Sequence, residues 1–205
     1  MNFLAHIYLS GNNELLKIGN FMADGIRGKE YNKFDIEIQK GILLHRFIDS
    51  FTDSHLIYRK SKHRLHKNYG HYAGVIMDIL YDHFLAKNWL TYHSTPLEEY
   101  ADDFYQSLKN NYNLLTLKTQ NMLPYMIAHN WLVSYGSLSG IEKILFQMDH
   151  RTQYRANMGG AIRELKEFYL LFEEEFTIFF DILIKESEIK LMALENTIEF
   201  NNKLI

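Results

Sequence analysis

Two segments of this chain set carboxylates and imidazoles at helical spacing. In the run Gly41-Ile42-Leu43-Leu44-His45-Arg46-Phe47-Ile48-Asp49-Ser50-Phe51-Thr52-Asp53-Ser54-His55, His45 and Asp49 are four residues apart and Asp53 follows one turn later. On a helix these three share one stripe, with about 40° between successive members. Asp78 and Asp82 repeat the spacing within Gly74-Val75-Ile76-Met77-Asp78-Ile79-Leu80-Tyr81-Asp82-His83-Phe84-Leu85, with His83 at the stripe's edge. Both segments are otherwise strongly apolar, which puts the acids near a buried face. An ionised carboxylate there needs a cation or dense hydrogen bonding. A metal bridging the two helices meets that need. Oxygen ligands suit Mn²⁺ or Mg²⁺, and imidazole extends the choice to Fe²⁺ or Zn²⁺. The plain structural alternative is that Asp49, Asp53 and Asp82 pair with Arg46, Arg64 or a histidine. Asp24 is a third acidic point, four residues past Asn20, whose other use is to end a helix before Gly25. His6 lies among Phe3, Leu4, Ile7 and Leu9. A lone histidine on an apolar face is more often a satisfied core residue than a ligand.

The elements that must position these groups are helical. Apolar residues recur at the α-helical period over Glu14 to Ala23, Asp35 to about Ser54, with Gly41 tolerated inside, and Tyr72 to Trp89. Thr95-Pro96-Leu97-Glu98 has the N-cap, N1 proline and early acid of a helix start, and that helix runs to Asn110. Further helices are expected at Leu117 to Tyr135, with Pro124 near an early turn or kink, and at Ser139 to Met148. Arg151 to Gly160 reads as a loop, and Ala161 to about Asn196 as one long helix or two joined ones. No alternating segment argues for a sheet, so the fold class is all-α. The stripe of Leu165, Phe168, Tyr169, Phe172, Phe176, Phe179, Phe180 and Leu183 is expected to be core, packing across the first helices.

Composition narrows the class of protein. With 205 residues, 47% of them apolar, and a net charge of −3, the chain is large and apolar enough for a closed core and unlike a disordered segment. Zero cysteines exclude a disulfide framework, a thiolate zinc site and a cysteine nucleophile, and fit a reducing compartment. Met1 to His6 has no basic and long apolar leader, and the uncharged stretch Thr119 to Ile141 is interrupted by polar residues and proline. A cytoplasmic protein that does not span a membrane is the expectation. Charge is unevenly spread: Ser54 to Met77 has no Asp or Glu but carries Arg59, Lys60, Lys62, Arg64 and Lys67, whereas ten acids face three lysines from Glu164 to Glu199. Such runs are usually solvated faces. A basic face can also steer an acidic partner. Against nucleic acid as that partner, the pI is near 6.4 and no binding motif for it is visible. P-loop spacing is absent too.

Four ordered motifs carry a resemblance. Met1-Asn2-Phe3-Leu4-Ala5-His6, Gly19-Asn20-Phe21-Met22-Ala23-Asp24, the Gly41 to Asp53 run continuing through Ser54-His55, and Asp78-Ile79-Leu80-Tyr81-Asp82-His83-Phe84-Leu85-Ala86-Lys87-Asn88-Trp89 resemble the acyl carrier protein phosphodiesterases. The likeness is concentrated in the first 90 residues and continues more weakly beyond them, so residues 1–205 are expected to form a single domain with its site in 1–90. The resemblance implies a compact helical bundle related to the HD phosphohydrolases. It further implies a divalent metal, typically Mn²⁺, and removal of the 4′-phosphopantetheine arm from holo-acyl carrier protein. One departure is that the chain has no His-Asp dipeptide; Asp82-His83 and Asp149-His150 run the other way.

The family's acidic position matches Asp24, and spacing adds His45, Asp78 and Asp82 as its expected company. Asp24 and Asp78 are then assigned to the metal, with His45 and Asp82 as further ligands or orienters. His83 or His6 is the expected proton donor to the departing serine oxygen. Arg46 is expected on the phosphate, and Arg59, Lys62 and Arg64 on the acidic carrier protein. Two other readings stay open: an HD-like hydrolase of a nucleotide or other small phosphoester, and a non-catalytic carrier-protein-binding module.

Overall fold

The computed structural model describes the backbone of residues 1–202 and the side chains of residues 1–196. Among the described residues there is no strand. The helices are α1 (Phe3–Tyr8), α2 (Glu14–Met22), α3 (Ile36–Ser54), α4 (Leu56–Tyr69), α5 (Ala73–Lys87), α6 (Trp89–Tyr92), α7 (Leu97–Asn110), α8 (Leu117–Ala128), α9 (Trp131–Ser134), α10 (Leu138–Arg151), α11 (Ile162–Glu167) and α12 (Tyr169–Asn202). Short 3₁₀ turns join several of them, including Ala23–Gly25 directly after α2. The all-α class is as the periodicity indicates. No helix of the described residues is long and apolar enough to cross a membrane.

Helices α2 and α3 pack backbone against backbone, and two glycines make this possible. A Cβ on Gly19 would collide with the Ile38 carbonyl oxygen, and one on Gly41 with the Leu16 carbonyl oxygen. Gly41 is therefore required, not merely tolerated. Asp35 starts α3 by accepting a hydrogen bond from the Glu37 amide, the expected use of a short acidic side chain at an N-cap. With the two backbones in contact, Asn20 of α2 and His45 of α3 come within hydrogen-bonding reach.

Helix α12 lies against α3, α4 and α5. Its Phe172, Phe176, Phe179 and Phe180 are fully buried, each contributing about 1.5–3 kcal/mol in apolar area removed from water. The C-terminal run takes the second of the two expected forms, two joined helices, with Phe168 separating α11 from α12. Asn130, at φ 41° in the left-handed region, similarly divides the expected Leu117 to Tyr135 helix into α8 and α9, with Pro124 inside α8. The start of α7 is displaced by one residue: Pro96 is the N-cap, and the Thr95 carbonyl accepts the Trp89 indole N–H instead.

Two helices escape the apolar pattern. In α4 the buried positions are Tyr58, Ser61, Leu65 and Tyr69, a narrow stripe in a basic sequence. In α1 only six residues are helical, and the helix is held by a partner 80 residues away.

Candidate metal centre

The N-terminus of α1 docks on α5 through Asp82. This fully buried carboxylate accepts hydrogen bonds from the amides of Asn2 (3.0 Å), Leu4 (2.7 Å) and Ala5 (3.4 Å). Burial pushes its carboxyl up to about 7, against the pull of the amino terminus and the three backbone donors. It supplies the partners that the first turn of a helix lacks. Asp78, one turn earlier, accepts from the Met1 amino group (2.9 Å) and the Tyr58 hydroxyl (2.7 Å) through Oδ1. Together they fix α1, and α1 carries His6.

His6 and His45 stack at 4.1 Å between ring centroids. Their Nδ1 atoms both face Asn20 Oδ1, at 2.8 Å and 3.2 Å. The Asn20 amide is held in this sense because its Nδ2 donates to the His6 carbonyl (3.0 Å) and to Ser10 Oγ (2.9 Å). Its oxygen is thus an acceptor for N–H on both Nδ1 atoms. This leaves both Nε2 lone pairs turned to the carboxylates. His6 Nε2 lies 3.1 Å from Asp49 Oδ1, and His45 Nε2 lies 3.1 Å from Asp49 Oδ2 and 3.3 Å from Asp24 Oδ1. One ligand atom from each of His6, His45 and Asp49 falls within a 4.8 Å group.

Lone pairs facing carboxylate oxygens repel unless a cation stands among them. Without a metal, a proton on His45 serves: burial opposes it, but hydrogen bonds and charge from Asp24 and Asp49 outweigh burial and raise its pKa to about 9. Burial also opposes charge on Asp49, yet the two imidazoles hold its carboxyl far below the usual range. His6 is lowered by burial and by the neighbouring His45. The hydrogen bond from His45 lowers Asp24 despite burial. Two nitrogens and carboxylate oxygens, oriented by an amide behind them, form a donor set that fits a divalent first-row ion.

The cluster opens into a cavity of about 430 Å³, which Asp24, Asp49, Asp53 and Asp78 also line. His6, His45 and Asp24, singled out in the sequence, converge here. Asp49 was on the sequence stripe but outside the expected ligand set; its spacing from His45 was the signal for it. Asn20 offered none.

Several expected site residues have other work. Asp82 anchors α1 and is not among the cavity-lining residues. His83 is engaged at both nitrogens, by the Tyr135 carbonyl (2.7 Å) and the Tyr169 hydroxyl (2.8 Å), away from the cluster. The guanidinium of Arg46 donates to the carbonyls of Gly28 and Ile26, tying down the turn that follows Asp24. A bidentate pair of Arg64 with Glu175, at 2.6 and 2.8 Å, takes it out of the basic face. Lys62 pairs with Asp53 at 3.0 Å, and Arg59 is exposed on α4 outside the cavity.

Comparison with known proteins agrees with the motifs. Residues 1–183 match the family model described as acyl carrier protein phosphodiesterase. Curated proteins of that name include one from Pectobacterium atrosepticum, 31% identical over 88% of this chain and 94% of its own length. Another, from Photorhabdus laumondii, is 28% identical over 93% of this chain and 96% of its own length. A third, from Yersinia enterocolitica, is 27% identical over 93% and 99%. No solved structure gives a significant match. With one family model covering most of its length and relatives aligned nearly end to end, the chain belongs to the acyl carrier protein phosphodiesterase family.

Proposed function

We propose that this protein is a divalent-metal-dependent phosphodiesterase that removes the 4′-phosphopantetheine arm from holo-acyl carrier protein, leaving apo-protein, in the cytoplasm. The observation that carries the reading is the convergence of His6 Nε2, His45 Nε2 and Asp49 on one point at a cavity, in a chain of this family. These three residues would hold the ion, with Asp24 beside them and Asp78 in the same cavity wall. The mixed nitrogen and oxygen donors accept Mn²⁺, Fe²⁺ or Zn²⁺ and suit Mg²⁺ less; the choice of Mn²⁺ among them is what the family resemblance implies. Such an ion, when bound, supplies a lowered water pKa and Lewis-acid neutralisation of phosphoryl charge.

The chain's own residues do the rest. Asn20 fixes the tautomer of both imidazoles. Asp49 spans the two rings and sets their separation. Asp24, 57% exposed at its side chain and 3.3 Å from His45 through Oδ1, is the carboxylate placed to orient the attacking water, accept its proton and pass it to the departing serine oxygen. Asp82 and Asp78 act behind the cluster by seating α1.

The test is intact-mass spectrometry of holo-acyl carrier protein incubated with the EDTA-stripped protein, before and after Mn²⁺ is restored. Metal-dependent appearance of the apo mass supports the reading. No conversion in either state, with hydrolysis of nucleotides instead, would replace it with a small-phosphoester hydrolase.

A further inference from the structure

The same cavity has a second wall, built from α8, α9 and α10, which the metal cluster does not use. Ile144, Gln147, Met148 and Arg151 line it at i, i+3, i+4 and i+7, one face of α10. Lys118 and Met122 line it from α8, again four residues apart. Trp131 stands between them, stacked on Phe3 with centroids 6.4 Å apart.

Three features of this wall point to a ligand. First, neither of its two cations forms an ion pair with a carboxylate among the described residues: Arg151 donates to the Met148 sulfur and lies over the Trp131 ring. Lys118 reaches Asp24 by charge alone. On this wall Lys118 and Arg151 are the cations that can share an anionic ligand's charge with an ion held by the cluster. Second, Trp131 lines the cavity, and its indole nitrogen has no hydrogen-bond partner among the described residues. Third, at about 430 Å³ the space lies in the range that holds a whole organic ligand, well beyond a bare phosphoryl group.

We propose that this wall is a subsite for the prosthetic arm itself, a proposal that rests on the phosphodiesterase reading above. Lys118 and Arg151 receive the phosphoryl charge. Met122, Ile144 and Met148 line the path of the slim aliphatic chain beyond it, methionine being suited to an irregular contact. Gln147, both donor and acceptor, serves the amide groups of the arm. Binding through the arm departs from docking through the basic run on α4, where Arg64 and Lys62 are already paired.

Calorimetric titration of the full chain with pantetheine, 4′-phosphopantetheine, inorganic phosphate and AMP tests this. Pantetheine, which has no phosphate, should bind, and phosphopantetheine should bind at least about tenfold more tightly than phosphate. Gln147→Ala should weaken pantetheine several-fold and leave phosphate unchanged. Arg151→Met should do the reverse. Both side chains are exposed, so folding is not at risk. Phosphate and phosphopantetheine binding alike, with no pantetheine binding, would overturn the subsite, as would AMP matching phosphopantetheine. Turnover is read separately. Arm binding without conversion of holo-acyl carrier protein would count against the phosphodiesterase reading alone, and conversion without arm binding against the subsite alone.

Discussion

The imidazoles of His6 and His45 stack with centroids 4.1 Å apart and planes inclined by 21°. They come from α1 and α3, helices not adjacent in sequence, and both turn Nε2 toward Asp49. Two rings this close resist carrying two protons, and the charge on one lowers the pKa of the other. Their arrangement is stable only with an acceptor behind them and a cation in front.

Asn20 is that acceptor, so its loss should be felt at the metal without a change in ligands. Asn20→Ala should lower Mn²⁺ affinity about 10–100-fold, the usual effect of removing an outer partner of a ligating histidine. Manganese titration by electron paramagnetic resonance, with circular dichroism to check the fold, measures this. Unchanged affinity in a folded variant would remove Asn20 from the site.

At Gly41 the sign of a mutational effect is diagnostic. Within an ordinary helix, Gly→Ala stabilises by about 1 kcal/mol. Here the new methyl meets the Leu16 carbonyl, so Gly41→Ala should destabilise by about 1–3 kcal/mol and depress turnover by separating Asn20 from His45. Urea unfolding gives the sign.

Glu175 links pH to stability. Burial opposes its charge, but Arg64, Ser61 and Lys60 hold its carboxyl below the ordinary 4.5. A depressed acid contributes stability that is complete above the unfolded value and is lost as pH falls through the folded value. Glu175→Gln should therefore be less stable at neutral pH, on the order of 3 kcal/mol for one member of a buried pair. The deficit should shrink below pH 4.5. Thermal melts across pH 3 to 7 read both effects. The same pair implies that Arg64→Glu lowers stability, not carrier-protein recognition.

His83 separates a structural histidine from a reacting one. Its two hydrogen bonds, to Tyr135 and Tyr169, join α5 to the chain after α9 and to α12. His83→Gln should cost about 1–3 kcal/mol of stability while kcat for the folded fraction stays within about threefold. A loss of several orders in kcat would return it to the chemistry.

What the sequence showed and what it hid divide along range. The His45–Asp49 pair is a local fact, four residues on one helix, and was legible. Asp78 and Asp82 were legible as an acidic pair on an apolar helix, but their partners are α1 amides and the amino terminus about 80 residues away, and no periodicity reveals that α1 exists. The role of Asn20 depends on α2 and α3 touching at Gly19 and Gly41, a contact that looks like two ordinary glycines in the text of the chain. In the sequence Arg64 reads as a partner for Asp49, Asp53 or Asp82 or as part of a basic face, and its actual acid, Glu175, is 111 residues downstream. Local spacing gives faces; which faces meet is decided by packing.

The central claim is that His6, His45 and Asp49 hold the metal that hydrolysis requires. An anomalous difference map from a crystal of the protein soaked in Mn²⁺ tests it most directly. A single strong peak within bonding distance of His6 Nε2, His45 Nε2 and an Asp49 oxygen is the predicted result. A peak elsewhere in the cavity, with the His6–His45–Asp49 contacts unchanged and the crystal's protein still converting holo-acyl carrier protein, would contradict it.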